Sequence, residues 1–213
     1  MIQSKILDKL LNLEQKIVIA IDGTAGSGKG TLAKLLAERF GLIHCQTSLF
    51  YRGLALEVLK RSKDMSIDDI ISLAEHPLYI VSSPDLYTPE VTEMTSIISA
   101  IPEVRESLKK PQQDFLLHNN RVVMEGRDIG TVIAPDADLK LFITADLETR
   151  AQRRFNQMNG SVSLEKIQKD IEMRDLRDTS RSSAPLAKAH DAIEISTTSK
   201  SPEKIVEWIL NNH

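Results

Sequence analysis

The chain has 213 residues, with 27 Lys and Arg against 30 Asp and Glu, and a formal charge of −3. That balance gives no global electrostatic pull toward nucleic acid or an anionic membrane, so an anion site must be assembled locally from placed cations. The length suits one α/β domain with insertions, and the single cysteine, Cys45, excludes an internal disulfide framework and fits a reducing cytosol.

Residues 1–16, MIQSKILDKLLNLEQK, place Ile2, Ile6, Leu7, Leu10, Leu11 and Leu13 at amphipathic helical spacing. They lack a continuous apolar core and a small-residue cleavage site, and no run in the chain approaches a membrane span. A short helix packed on the domain is expected, with no membrane contact and a cytoplasmic location.

Five β-like runs follow: IVIAID (17–22), LIHCQ (42–46), RVVMEG (121–126), LKLFITA (139–145) and AIEIST (192–197). Most are nearly continuous apolar stretches, as strands covered on both faces of a parallel sheet should be. Cys45 lies within one of them and reads as a buried structural thiol. GKGTLAKLLAERF reads as a helix stopped by Gly41, and SPEKIVEWILNN as a helix with Ser201 as N-cap and Pro202 in its first turn. The alternation predicts an α/β domain with a parallel sheet.

Between about residues 49 and 120 the rhythm breaks. SIDDIISLAE opens with a capping-box pattern, Ser66 to Asp69, and YIVSSPDLYTP reads as extended pieces around a Pro-Asp turn. TPEVTEMTSIISA and IPEVRESLKK read as helices with proline near the first turn, and Pro111 is expected to interrupt the second. This interval reads as an inserted subdomain on the substrate side. A second, arginine-rich helical segment spans roughly 147–181. There is no internal repeat or low-complexity linker.

The first strand runs straight into Gly23, Thr24, Ala25, Gly26, Ser27, Gly28, Lys29, Gly30 and Thr31, then a helix. Such a turn aims backbone N–H groups and a helix N-terminus at an anion, with a lysine to lie along the β- and γ-phosphates. The usual hydroxyl after the lysine is absent, because Gly30 stands there and the hydroxyl arrives only at Thr31. A Mg²⁺ ion would therefore lean mainly on phosphate oxygens and water. No N-K-x-D guanine signature occurs, which argues against a GTPase.

Three further stretches place guanidinium groups after strands or on a helix: TSLFYRGLALE with Thr47 and Arg52, EGRDIGTV with Arg127 and Asp128, and MRDLRDTSR with Arg174, Asp175, Arg177, Asp178 and Arg181. The first two follow strands, whose carboxyl ends line the ligand crevice in parallel sheets. On a helix Arg174, Asp178 and Arg181 share a face, either as a ligand surface or as a solvated face stapled by ion pairs. LETRAQRRF, with Arg150, Arg153 and Arg154, is open to the same two readings.

EGRDIGTVIAPDADLKLFITA, RDLRDTSRSSAPL and SIISAIPEVRE, in this order behind G-K-G-T, resemble bacterial-type cytidylate kinases (CMP/dCMP kinases), from the phosphate loop to near the C-terminus. The resemblance implies a single nucleotide kinase domain over 1–213. Its core would be a five-stranded parallel sheet of P-loop NTPase type with helices on both faces, an enlarged monophosphate-binding insert and a short mobile helical lid. It implies ATP-dependent phosphorylation of CMP and dCMP by a monomer acting on small molecules, with neither nucleic acid nor membrane as partner. By resemblance Arg52 and Arg127 grip the acceptor phosphate with the Thr47 hydroxyl. Ser96, Arg105, Asp128 and Arg181 surround cytosine, and Arg174 and Asp178 match positions on the sugar. Arg150 and Arg154 are catalytic candidates at the start of the lid, and 196–202 (STTSKSP) matches an adenine-side loop. No protein metal ligand is nominated. The chemistry agrees, since a carboxylate accepts from the cytosine N4 amino group where uracil presents an acceptor.

The chain departs from the family pattern after the second strand. Gln46 replaces a carboxylate that would orient water on the metal, and Ser48 replaces a glycine. Thr24 stands where proline is common, and Gln113 where arginine is frequent. Two other readings stay open: a P-loop kinase for UMP, AMP or a non-nucleotide hydroxyl, and a nucleotide-binding regulator without catalysis. A nucleic-acid ATPase is disfavoured by charge and by the absence of an aromatic–basic pattern.

Overall fold

The computed structural model describes residues 2–62, 64–75 and 83–212, with side chains from Ile6 onward. All five strands form where the apolar runs lie: β1 (Ile17–Gly23), β2 (Ile43–Gln46), β3 (Arg121–Glu125), β4 (Leu139–Thr144) and β5 (Ile193–Ser196). They make one parallel sheet in the order β2-β3-β1-β4-β5. β1 is therefore central and buried along its whole length, which explains its unbroken apolar sequence up to Asp22.

Alternate residues of β1 serve two cores. Ile17, Ile19 and Ile21 point to the face covered by α1 (Ile2–Leu11), α2 (Lys29–Phe40) and α9 (Pro202–Asn212), where Leu10, Leu32, Leu36, Phe40, Ile205 and Ile209 are buried. Val18 and Ala20 point to the other face. There they meet α3 (Ser48–Arg61), α4 (Ile67–Ala74), α5 (Pro89–Ile98) and α6 (Pro102–His118) through Leu54, Val58, Ile70, Val91, Ile98, Val104 and Leu108. Each fully buried aliphatic side chain contributes about 1.5–3 kcal/mol relative to exposure. The N-terminal helix packs as expected: Ile6 and Leu10 are buried, while Leu11 and Leu13 face outward. Arg121, at the start of β3, donates to the carbonyls of Lys9, Leu10, Asn12, Gln15 and Phe40, tying α1 and the end of α2 to the sheet.

Local signals set several ends. Gly41 takes φ 60 and closes α2 through its N–H to the Ala37 carbonyl. Ser66 caps α4 and Thr88 caps α5. Two sequence expectations need correction. α6 runs unbroken through Pro111. Val104 and Leu108 ahead of it and Gln112 after it are all buried, and that packing outweighs the one hydrogen bond the proline cannot make. The Pro-Asp turn forms where expected, but as a helical turn over Pro84–Tyr87 capped by Ser83, so that Leu86 and Tyr87 are not extended; residues 79–82 of that stretch lie outside the described residues. Within 147–181 lie α7 (Leu147–Gln157) and α8 (Leu164–Ser180), which share a small core of Ala151, Ile167 and Ile171.

Candidate active site

At the carboxyl end of β1 the chain turns through three glycines with positive φ, Gly23, Gly26 and Gly28. Gly23 is obligatory on space alone, since a Cβ there would stand 1.9 Å from the Ile143 carbonyl oxygen of β4. The first intrahelical bond of α2 runs from Leu32 N to Gly28 O at 3.1 Å. The amides of the preceding turn thus lack helical acceptors and present a partial positive charge. Lys29 Nζ donates to Thr24 O at 2.8 Å. Burial, followed by the charges of Arg127 and Arg174, pushes its ammonium well below the ordinary lysine range.

Gly30 has a structural reason. A Cβ at this position would lie 3.1 Å from Glu125 Oε1, so a carboxylate from the end of β3 occupies the space beside the loop. Glu125 Oε1 is 2.9 Å from His44 Nε2 on neighbouring β2. Sequence reasoning passed over Glu125, although it opens the motif EGRDIGTV two residues before Arg127. The two departures after β2 bond each other, Gln46 Nε2 donating to Ser48 Oγ at 3.0 Å. Among the described residues no group of three His, Cys, Asp or Glu is arranged to hold a metal ion. Cys45 is buried, and burial pushes its thiol up to about 12, which fits a structural role.

Cations come together from four other places: Arg52 on α3, Arg127 after β3, Arg154 on α7 and Arg174 on α8. Their proximity is visible in their electrostatics. Burial first, then Arg127, Arg52 and Arg154, pull Arg174 down to about 10, with Asp178 acting against them. Burial and Arg154 likewise lower Arg52. The guanidinium groups of Arg154 and Arg174 donate no hydrogen bond to any described residue, whereas Arg127 Nε donates to Asp178 Oδ2 at 2.7 Å. Lys29 is buried, Arg52, Arg127 and Arg174 are half-buried and Arg154 is exposed, and such a set of mutually repelling cations attracts a polyanion.

Beyond Arg127 the chain forms a tight turn over Ile129–Ile133. Asp22 fixes that turn by accepting from Ile129 N at 2.8 Å and Gly130 N at 2.7 Å. Asp128 then meets Arg105 of α6, whose Nη2 is 2.5 Å from Asp128 Oδ2. Burial opposes the charge of Arg105, but Tyr51 and Asp128 hold it above the ordinary arginine range. Arg181 Nη2 stands 4.0 Å from Asp128 Oδ1 and has no hydrogen-bond partner. Tyr51, Arg105, Asp128, Val132, Ile133 and Ala184 line a cavity of about 20 Å³ here.

The remaining predicted residues are placed less simply. Arg52 Nη1 donates to Leu86 O at 2.6 Å and Thr92 Oγ1 at 3.1 Å, with its guanidinium 5.0 Å from the Tyr87 ring. It is anchored to the insert, and its buried Nε is unpartnered. The Thr47 hydroxyl donates to Glu125 O at 2.8 Å, so its proton is committed to backbone. Ser96 Oγ accepts from Arg177 Nη1 at 2.6 Å, a contact from α8 to α5 not foreseen from the sequence. Arg150 differs most from expectation: its guanidinium bonds Ala145 O, Ala25 O and Asp175 instead of standing free for donor phosphates. Asp178 lies between Arg127 and Arg181, and despite its burial the arginines Arg127, Arg174 and Arg181 hold it below the ordinary carboxylate range. In the 196–202 loop, Thr197 Oγ1 donates to Ser27 O at 2.8 Å, and Arg153 holds Thr197 in turn.

Comparison with known proteins places this geometry in context. A family profile described as cytidylate kinase matches residues 19–213. A cytidylate kinase of Rickettsia bellii (strain OSU 85-389) is 42% identical over 206 residues, covering 95% of this chain and 94% of the relative. One from Rickettsia felis (strain ATCC VR-1525 / URRWXCal2) is 41% identical over 207 residues, with the same coverage of each. Among solved structures, an uncharacterized protein from Eubacterium ventriosum ATCC 27560 aligns with a TM-score of 0.50 at 16% identity, covering 92% of this chain and 98% of that one, a likeness of fold.

Proposed function

This chain belongs to the cytidylate kinase family, and from that premise we propose that it transfers the γ-phosphoryl group of ATP in line to CMP and dCMP, giving ADP and the diphosphate. The observation that carries the mechanism is the clustering of Lys29, Arg52, Arg127 and Arg154 about Arg174, with Lys29 itself rooted in the glycine loop. Phosphoryl transfer asks little covalent chemistry of a protein. It asks that donor and acceptor be held in line and that spreading negative charge be neutralised. No general base is needed, because the acceptor phosphate is already an anionic nucleophile near neutral pH.

The loop amides and Lys29 hold the donor. Arg127 and Arg174 stand between donor and acceptor, with Arg154 reaching over from α7. Arginine suits these places because its planar fork binds phosphate oxygens in pairs. Arg52 completes the acceptor seat by turning from the Leu86 carbonyl. A bound Mg²⁺ ion would neutralise charge on the donor phosphates. The carboxylate beside Gly30 fits such an ion, and Glu125 would hold it through water, compensating for Gln46.

Selectivity for cytosine rests on Asp128. Its Oδ1 accepts from the N4 amino group, while Arg105 and Arg181 steady the carboxylate and donate to the ring acceptors. At about 20 Å³ the cavity is too small for a base, so the base enters by parting these side chains. The helices α7 and α8 act as a lid, excluding water on closure. The protein works as a cytoplasmic monomer on free nucleotides. Initial rates of ADP formation with CMP, dCMP, UMP and AMP test the proposal: the two cytidine nucleotides should lead by at least about tenfold, one good discriminating contact. A UMP or AMP preference would overturn the base assignment, and no acceptor-dependent turnover would favour the regulator reading.

A further inference from the structure

Ala25, directly before Gly26 in the phosphate loop, has both of its backbone polar groups taken by side chains distant in sequence. Its N–H donates to Asp175 Oδ1 at 3.1 Å, and its carbonyl accepts from Arg150 Nη1 at 3.1 Å. Arg150 and Asp175 are themselves paired, at side-chain exposures of 9% and 18%, and Arg150 Nε reaches Ala145 O at 2.9 Å just past β4. Beside them, a Cβ on Gly26 would sit 3.3 Å from Arg150 Cβ, so the loop lies directly against α7. Asp175 belongs to α8, the helix that also sends Arg174 and Asp178 to the acceptor side and ends at the extended residue Arg181.

We infer that Asp175, held by Arg150, is a positioning residue for the donor loop: it fixes the Ala25 peptide so that the amides of Gly26 and of Gly28 to Thr31 remain open to the donor phosphates. The arrangement has a definite electrostatic logic. A lone carboxylate beside a triphosphate seat would repel the donor, and Arg150 neutralises it at close range. Removing only the arginine should therefore do more harm to donor binding than neutralising both partners. Because α8 contacts both seats, acceptor-side movement of this helix reaches the donor loop through Asp175. The inference deepens the phosphoryl-transfer reading and rests on it for its kinetic test.

The test compares Arg150→Met, Asp175→Asn and the double variant, reading KM for ATP and KM for CMP separately. Asp175→Asn keeps an oxygen for the Ala25 N–H, so its KM for ATP should rise about threefold, against about tenfold or more for Arg150→Met. The double variant should recover part of the Arg150→Met loss, with KM for CMP staying within about twofold throughout. Equal rises in both KM values, no change in either, or a double variant worse than Arg150→Met would overturn the inference. Amide hydrogen exchange on the nucleotide-free native chain decides independently of folding of the variants and of activity. The Ala25 N–H should be protected while those of Gly26 and Gly30 exchange freely, and a freely exchanging Ala25 would overturn it. If the native protein proved unable to phosphorylate CMP, the functional reading would fail while the exchange result still judged the clamp.

Discussion

Arg105 on α6 and Asp128 after β3 form a buried ion pair, Nη2 to Oδ2 at 2.5 Å, at the bottom of the proposed base pocket. The pair leaves Oδ1 of the carboxylate toward Arg181, 4.0 Å away. Asp128→Asn should lower the ratio of kcat/KM for CMP over UMP by about ten- to a hundredfold. The amide can donate to uracil O4, and a good paired contact discriminates by about 1–3 kcal/mol. Steady-state kinetics with both acceptors checks this, and an unchanged ratio would count against base reading by Asp128.

Lys29→Ala should reduce kcat/KM by at least about a hundredfold, since a cation at the transferring phosphate is lost. Its effect on unfolding free energy should stay within about 1 kcal/mol. Burial and the charges of Arg127 and Arg174 already disfavour this ammonium in the free protein. Urea denaturation alongside the kinetics separates the two quantities.

Asp22 gives stability a pH dependence. Burial raises its carboxyl from 3.8 to about 6, partly opposed by the Gly130 and Ile129 amides. The folded protein keeps this proton up to about pH 6, while the unfolded chain releases it near 3.8, so folding binds the proton in that window. The contribution is present in full below pH 3.8 and is lost as pH rises through 6. The gap corresponds to about 3 kcal/mol. Asp22→Asn cannot titrate, so the stability of the native chain relative to this variant should fall by about that amount between pH 4 and 7. A pH-independent difference in urea denaturation would be the contrary result.

Arg121→Ala should destabilise by about 3 kcal/mol, because it strips donors from the carbonyls that end α1 and α2. Arg121 lies at the amino end of β3 and the site at its carboxyl end, so KM for both substrates should hold within about twofold. Denaturation and kinetics on the same preparation check both halves.

Two glycines make opposite predictions. Gly23→Ala meets the Ile143 carbonyl at 1.9 Å with φ +147, and should cost about 4 kcal/mol or more. Gly53→Ala, in α3 with nothing within 4 Å of the new Cβ, should stabilise by about 0.5–1 kcal/mol. Thermal unfolding of the two variants tests the contrast.

Much of the fold was legible in the sequence because its causes are local. Strands buried on both faces need unbroken apolar runs, helix ends need Gly41, Ser66 or Ser201, and a phosphate seat needs glycines behind a strand. The same local reasoning failed at Pro111, where tertiary packing of Val104, Leu108 and Gln112 overrode a backbone penalty that sequence alone could register. The motifs singled out Lys29, Arg52, Arg127, Asp128, Arg174 and Arg181 as candidates, but neither Glu125 nor the partner of each. Whether an arginine faces a phosphate or a carbonyl depends on which distant segment lies within reach of its flexible side chain. Arg150, read as a catalytic group, instead holds Ala25 and Asp175. Gly30, read as a missing hydroxyl, instead makes room for Glu125, 95 residues further along the chain. Sequence thus determined the strands, the glycine loop and the candidate charged residues, through spacing and backbone chemistry. Only the tertiary structure decided its pairing, because ion pairs and close contacts form between segments that the chain itself keeps far apart.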